Sequence, residues 1–219
     1  MRKIIIICIA LIHLFACNRE EIQPDLLYSD HIIAGTTEGS GIQYSGLIQD
    51  TLFFEYPSSD TSRHIDINDD GISDFELKFS GSASPGHSIS NNSISSTGNS
   101  FIAISESGNN NADTITINDT IDNSLNWVNG DCVLYNHSWD LSGASSNSGL
   151  WNDARNNFIG VKILVGDRVL FGWIRVEIIN GWNLTLVDYA CTAGYKLTGT
   201  QFTRFINHWW NLRIEKNSG

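Results

Sequence analysis

The last third of the chain contains three β-like runs, which constrain the fold more than any other feature. Val, Ile, Phe and Trp dominate residues 158–165, 169–178 and 184–189, and these residue types favour strands. A Gly-Asp pair at 166–167 and an Asn-Gly pair at 180–181 separate the runs, and such pairs are typical of tight turns. Strands this closely spaced leave no room for helices between them.

Alternating apolar residues also indicate strands earlier in the chain. Residues 75–79 alternate between apolar and polar side chains, which is the pattern of a half-buried strand. Further short strands are predicted at 53–56, 65–67 and 114–117. Helical periodicity is weak and confined to residues 202–212. The sequence therefore predicts an all-β fold, namely a single β-sandwich of the jelly-roll-like type.

Two segments rich in Ser, Asn, Gly and Thr interrupt the predicted strands. They span residues 81–110 and 141–150. Because these residue types favour turns and surface loops, we expect long exposed loops here. Apolar residues at 101–104 predict one or two short strands within the first segment.

The N-terminus has the layout of a bacterial lipoprotein signal. Basic residues precede an apolar stretch at residues 4–16, which is shorter than the roughly 20 residues that cross a bilayer and matches the apolar part of a secretory signal. The stretch ends in Leu-Phe-Ala-Cys, which resembles a lipobox. We expect Cys17 to become an acylated N-terminus, because several acyl chains anchor a protein stably. An ordinary cleaved signal with a chance cysteine is the alternative.

These features predict three parts of the chain. They are a lipoprotein signal peptide at 1–16, a lipidated tether at 17–40 and the β-sandwich domain at 41–219. Asn-Arg-Glu-Glu at 18–21 resembles the surface-export signal of Bacteroidota lipoproteins. The prediction is an outer-membrane lipoprotein, on the periplasmic face or the cell surface, with the membrane as partner through the lipid on Cys17.

The charge balance argues against two classes of partner. The chain has 24 acidic and 13 basic residues, a formal net charge of −11. Nucleic-acid-binding proteins carry basic stripes, and anionic lipid attracts basic surfaces. We therefore expect no nucleic-acid partner and no electrostatic binding to anionic lipid.

Cysteine usage leaves one pair for the folded domain. Cys8 lies in the predicted signal and Cys17 carries the predicted lipid, so Cys132 and Cys191 remain. An even pair in an oxidising compartment favours a disulfide. This bond would close a loop of about 60 residues and add about 4 kcal/mol of stability in the loop-entropy treatment. Two buried free thiols are the alternative.

One motif points to a defined chemistry, the pattern D-x-N-x-D-G-x-x-D. It places the side chains of Asp66, Asn68, Asp70 and Asp74 and the carbonyl of Ile72 where they could surround one ion. Calcium prefers six to eight oxygen ligands, so these residues predict a calcium site. Close carboxylates repel each other, and we expect the loop to be loose without a cation. A solvated acidic turn is the alternative.

The surroundings of this motif distinguish it from helical calcium loops. Leu77 stands at its twelfth position, where an EF-hand has glutamate and a dockerin has aspartate. Strand-like segments flank the motif at 64–65 and 75–77. This context resembles the β-hairpin calcium loops of integrin-type FG-GAP repeats, of which the chain has a single copy.

Three short motifs follow the acidic loop in order. They are Phe-Ile-Gly-Val-Lys at 158–162, Phe-Gly-Trp-Ile-Arg-Val at 171–176 and Leu-Val-Asp-Tyr-Ala at 186–190. Over residues 45–200 the chain is similar to uncharacterised secreted β-domains of Bacteroidota and to ectodomains of some exosortase-sorted (PEP-CTERM) surface proteins. The resemblance implies an extracytoplasmic β-domain and brings no catalytic residues. Cys191 stands where such domains carry an acidic residue.

The functional expectation is a non-enzymatic, calcium-stabilised surface module for binding or adhesion. The sequence contains no GxSxG, HExxH, P-loop or GxGxxG motif. One alternative is a carbohydrate-binding component of a glycan-uptake system, with Trp173, Trp182, Trp209 and Trp210 as a sugar-stacking platform. Strand alternation favours core burial for Trp173. Another alternative is a secreted jelly-roll hydrolase.

The remaining polar candidates are Arg175, His137 and Asp140. Arg175 lies in an apolar run, and we expect it to pair with Asp188 in a structural role. His137 and Asp140 could be combined with nearby serines as a catalytic triad. The abundance of serine makes that combination uninformative.

Overall fold

The computed structural model describes residues 29–39, 41–107 and 109–193. These residues form fourteen strands in three sheets and contain no helix, so the predicted all-β fold is confirmed. Two of the sheets share one apolar core, as a β-sandwich requires. In the part of the chain that is described, no helix has the length and apolarity needed to cross a membrane.

One sheet has five antiparallel strands. In spatial order they are β11 (Ser145–Ser148), β10 (Asp131–Asp140), β6 (His87–Ser96), β5 (Phe75–Ser84) and β4 (Ser58–Ile65). Along β5 every second side chain is buried, including the predicted Phe75, Leu77 and Phe79. The alternation sends these residues into the space between the two large sheets.

The second large sheet has seven strands. Six strands follow one another in space: β2 (Ile42–Tyr44), β14 (Asn183–Thr192), β13 (Arg168–Ile179), β12 (Asn157–Val165), β7 (Ser100–Ile104) and β9 (Asn126–Val128). The seventh strand, β3 (Asp50–Phe53), pairs with the first half of β14, whereas β2 pairs with its last residues. The three predicted C-terminal strands are confirmed as β12, β13 and β14. Asn180 and Gly181 have positive φ values of 53° and 70°, which a tight turn of this kind requires.

A third, small sheet covers the outer face of the seven-stranded sheet. It pairs β1 (His31–Ile33) with β8 (Thr120–Asp122). Ile32 and Ile121 pack there in a second core with Phe158, Phe171 and Trp173. The seven-stranded sheet is therefore buried on both faces over part of its area.

The structured domain begins earlier than predicted. Residues 31–34 were assigned to the tether, but they include β1, and Ile32 and Ala34 are buried. Burial of these apolar side chains in the second core is the physical reason. Residues 31–34 therefore belong to the folded domain.

The interpretation of residues 81–110 as loops around short strands was wrong in part. β5 extends to Ser84, and β6 forms a ten-residue strand from a segment rich in Ser and Asn. β6 lies between β5 and β10, and pairing on both sides stabilises a segment whose composition favours loops. The predicted strand at 114–117 is reduced to a single bridge between Ile115 and Phe158.

β4 is an outer strand of the five-stranded sheet and is almost entirely polar. Only Ile65, its last residue, is buried. Arg63 forms an ion pair with Asp50 of β3, which connects the two large sheets at this edge.

Candidate metal site

The acidic loop predicted to bind calcium joins β4 to β5. Ile65 at the end of β4 pairs with Phe75 at the start of β5. The nine residues between them form a β-hairpin loop, so the strand-like flanks predicted from the sequence are confirmed. Asp69 and Gly71 have positive φ values of 55° and 88°, and these values curl the chain back on itself.

Asp66 lies at the centre of the curled loop. One of its carboxylate oxygens accepts a hydrogen bond from the Asp70 backbone N–H at 3.1 Å, and the other accepts one from the Gly71 N–H at 2.7 Å. The backbone is thereby wrapped around a carboxylate, as in an Asx-type turn.

Asn68 and Asp70 extend this arrangement. Asn68 Oδ1 accepts from the Asp70 N–H at 3.1 Å, and Asn68 Nδ2 donates to Asp70 Oδ2 at 3.1 Å. Asp70 Oδ1 accepts from the Ile72 N–H at 2.9 Å. The structure therefore brings three of the predicted ligand side chains into one hydrogen-bonded group at the surface, with the Ile72 side chain exposed.

Asp74 differs from the other ligand candidates because it is buried, with 6% of its surface exposed. Its Oδ2 accepts from the Ile67 N–H at 3.0 Å, and its Oδ1 accepts from the Ser100 hydroxyl at 3.4 Å. Burial raises the pKa of the Asp74 carboxyl; the Ile67 hydrogen bond opposes this change, and the charges on Asp70 and Asp66 reinforce it.

The donor set suits calcium in chemistry, but the carboxylates do not converge on one point. Every predicted ligand atom is oxygen, as this hard cation prefers. Among the described residues, no three His, Cys, Asp or Glu side chains lie close enough together to hold a metal ion. Their oxygens accept hydrogen bonds from the loop backbone instead.

The loop has no cationic partner in the described part of the chain. None of the ion pairs found there involves Asp66, Asp70 or Asp74. Three like-charged groups close in sequence, one of them buried, therefore rely on backbone N–H and hydroxyl donors. Such an arrangement raises the free energy of the folded state when all three are ionised.

Ile67 connects the loop to the rest of the molecule. Its side chain is buried in the main core, its N–H binds Asp74, and its carbonyl accepts a hydrogen bond from the Cys191 thiol at 3.2 Å. Cys191 belongs to β14 of the other large sheet. The sequence analysis missed Ser100 and Ile67 because their roles depend on contacts between strands that are distant in the chain.

Cys132 and Cys191 are free thiols in the structure, which corresponds to the alternative to the expected disulfide. Both side chains are buried in the main core. Burial raises the pKa of Cys132 to about 11 and that of Cys191 to about 12. These values make them structural, protonated thiols, as buried apolar surroundings generally do.

The other predicted residues have mixed outcomes. Trp173 is buried in the second core, as strand alternation indicated. Arg175 forms the predicted ion pair with Asp188. Trp182 is partly buried and packs edge-on against Phe54, with ring centroids 4.9 Å apart. The predictions for Cys17, Trp209 and Trp210 lie outside the described residues.

The structure does not assemble the triad considered for a hydrolase. His137 and Asp140 both belong to β10, and residues three apart in a strand lie on opposite faces. The Nδ1 atom of His137 lies 2.7 Å from the side-chain oxygen of Asn147, an amide that cannot act as the acid of a triad.

No protein-family model matches this chain, and comparison with curated proteins and with solved structures also finds no match.

Proposed function

We propose that the protein is a membrane-anchored extracytoplasmic module whose β-sandwich is stabilised by calcium. The observation that carries this proposal is Asp74, a buried carboxylate beside Asp66 and Asp70 without a cationic partner among the described residues. A divalent cation would offset their mutual repulsion and the cost of burying Asp74. Its role is structural, and the module works in surface binding or adhesion rather than catalysis.

The contacts of Ile67 explain how the ion would stabilise the whole domain. Calcium binding would order the loop around Asp66, and Ile67 lies within that loop. Because Ile67 is buried and hydrogen-bonded to Cys191 of β14, ordering the loop favours the packed arrangement of both large sheets. A ligand that binds only the folded state stabilises it in proportion to the logarithm of its concentration.

Thermal unfolding of the full chain in a non-ionic detergent tests the calcium site. Calcium at about 100 times its Kd should add about 2.7 kcal/mol and raise Tm by roughly 5–10 °C relative to excess EDTA. Asp70→Ala should abolish the shift. Asp69→Asn is the matched control, because it removes a charge from the same loop at a position that the motif does not use as a ligand.

Two results would count against the calcium site. An unchanged Tm on adding millimolar calcium would reduce the loop to an acidic turn. A shift that survives Asp70→Ala would place calcium elsewhere. Magnesium at equal concentration provides a further comparison. It should raise Tm less than calcium does, because Mg²⁺ is a smaller ion that requires near-ideal octahedral geometry.

The membrane anchor is proposed from the sequence. The apolar stretch at 4–16, the lipobox-like ending at Cys17 and the acidic residues that follow support an outer-membrane lipoprotein. The order of the motifs at 158–162, 171–176 and 186–190 supports a relationship to secreted Bacteroidota β-domains. Labelling with a radioactive fatty acid should mark the chain, and Cys17→Ser should remove the label.

A further inference from the structure

The inner face of the five-stranded sheet continues past the end of the main core. Gly81, Ser90, His137 and Asn147 are successive partners across β5, β6, β10 and β11, so their side-chain positions share one face. Trp182 covers this row from Gly81 to His137, whereas Asn147 at its other end is exposed. A Cβ atom added at Gly81 would lie 3.3 Å from the indole of Trp182. The centroid of the Trp182 ring is 6.3 Å from the centroid of the His137 ring.

The next row outward on the same face is open. Ala83, Ser88, Trp139 and Ser145 are partners across the same four strands. Trp139 exposes 39% of its surface, and Ser145 is exposed. We call this row, together with the His137–Asn147 pair beside it, the open strip.

The chemistry of the open strip is neutral and amphipathic. It combines an exposed indole, two serine hydroxyls, an amide and an imidazole, with neither carboxylate nor lysine or arginine among its members. An indole presents an apolar face, while hydroxyl and amide groups donate and accept hydrogen bonds. The chain as a whole carries a net charge of −11, which disfavours anionic ligands.

Two polar side chains lie buried in the rows behind the open strip. Ser90 Oγ and Asn92 Oδ1 are buried without a hydrogen-bond partner among the described residues. Ser90 stands opposite His137 in the sheet, and both polar atoms belong to the same inward-facing side of β6. Both side chains are fully buried, so neither can contact a ligand in the open strip.

We propose that the open strip binds a neutral glycan, with a pyranose ring stacked on Trp139. The sugar's C–H face would contact the indole, and its hydroxyls would bond to Asn147, His137 and the serines. This inference names a ligand for the proposed binding module, and it rests on that binding role. It is independent of the calcium loop, because the loop precedes Phe75 at one end of β5 and Ala83 lies near the other.

Affinity electrophoresis of the full chain tests the proposal. The gels contain laminarin, soluble starch, xyloglucan or dextran as neutral probes, with alginate and polygalacturonate as anionic comparisons. The detergent is a polyoxyethylene ether, since maltoside or glucoside head groups would compete. We expect retardation by at least one neutral polysaccharide and a loss of at least tenfold in affinity for Trp139→Ala. Asn147→Ala should weaken binding by several fold.

Phe53→Ala is the matched control, because Phe53 is also an exposed aromatic residue, 53% accessible, but on β3 of the other sheet. Its retardation should equal that of the unaltered chain. Absence of retardation by all four neutral probes overturns the proposal, as does equal retardation of Trp139→Ala. Asp70→Ala separates the two hypotheses: glycan binding that persists in this variant supports the open strip whether or not calcium stabilises the fold.

Discussion

Asp188 is the most completely enclosed acidic side chain among the described residues. Its side chain is 1% exposed, and its carboxylate accepts hydrogen bonds from Arg175 Nε at 2.8 Å, Arg175 Nη2 at 2.5 Å and the Tyr44 hydroxyl at 2.8 Å. The guanidinium also lies over the Phe158 ring, 5.9 Å from its centroid. The two hydrogen bonds from Arg175 fix β13 against β14, and the hydrogen bond from Tyr44 holds β2 beside β14.

Asp188→Asn should lower the free energy of unfolding by about 3 kcal/mol, because it leaves the half-buried Arg175 without a counter-charge. Urea unfolding monitored by fluorescence measures this loss. The double variant Arg175→Met, Asp188→Leu should recover part of it, since neither charge then remains. A single variant within about 0.5 kcal/mol of the unaltered protein would show that the pair does not contribute as described.

The two buried thiols lead to a prediction about reactivity. In a full chain carrying Cys8→Ser and Cys17→Ser, Cys132 and Cys191 should resist Ellman's reagent at pH 8 and both react after denaturation. Their folded pKa values of about 11 and about 12 exceed the usual 9.0. The resulting stabilisation is fully present below pH 9 and is lost as the pH rises through the folded values. Fewer than two reactive thiols after denaturation without reductant would indicate a disulfide.

At the scale of elements, the hairpin loop between β4 and β5 combines an exposed polar group with a buried anchor. Asp66, Asn68 and Asp70 form the exposed group, whereas Asp74 and Ile67 connect the loop to both large sheets. A substitution at the buried end can therefore change loop stability and ion binding in opposite directions.

Asp74→Asn should separate these two effects. The amide oxygen can accept from the Ile67 N–H and the amide nitrogen can donate to Ser100, so the hydrogen bonds are kept while a buried charge is removed. In EDTA we expect Tm to rise, corresponding to about 1 kcal/mol. In calcium the variant should lose most of the ion-dependent shift. Calorimetry under both conditions checks the prediction, and a lower Tm in EDTA would contradict it.

Strands whose residues carry a strong local pattern were predictable, and those defined by their neighbours were not. β12, β13 and β14 follow from branched and aromatic residues bounded by turn pairs. β6 was missed because Ser and Asn dominate it, and its pairing with β5 and β10 overrides that composition. Residues 114–117 alternate in sequence but obtain only one bridge.

The same distinction applies to the candidate sites. The spacing within the loop identified Asp66, Asn68, Asp70 and Asp74, because all of them lie on one short segment. The open strip draws residues from four strands, and a sequence without known pairing does not show that His137 and Asn147 are neighbours. The alternation of His137 and Trp139 along β10 was the available local signal.

At the scale of the whole molecule, the seven-stranded sheet supports two cores. The main core lies between the large sheets, and the second lies beneath the small β1–β8 sheet. β12 and β13 contribute side chains to both cores by alternation. The small sheet therefore belongs to the folded unit, although it contains only two short strands.

Ile121→Ala tests whether this outer layer contributes to global stability. Ile121 is fully buried, so the substitution should cost about 2–4 kcal/mol by creating a cavity. Ile117→Ala is the matched control, because Ile117 is 61% exposed and should change stability by less than about 0.5 kcal/mol. Both are measured by urea unfolding. Equal stability of the two variants would mean that the small sheet is not packed as described.

The polar outer strand β4 has a consequence for a protein held on a membrane as proposed. Lipid anchors confine neighbouring molecules to two dimensions, where their sheet edges meet often. β4 presents serine, threonine, Asp60, Arg63 and His64 along its edge, with only Ile65 buried, and such edges are poor templates for pairing with a strand of another chain. Crowding on the bilayer would then leave each domain separately folded, with its loops and open strip available to solvent.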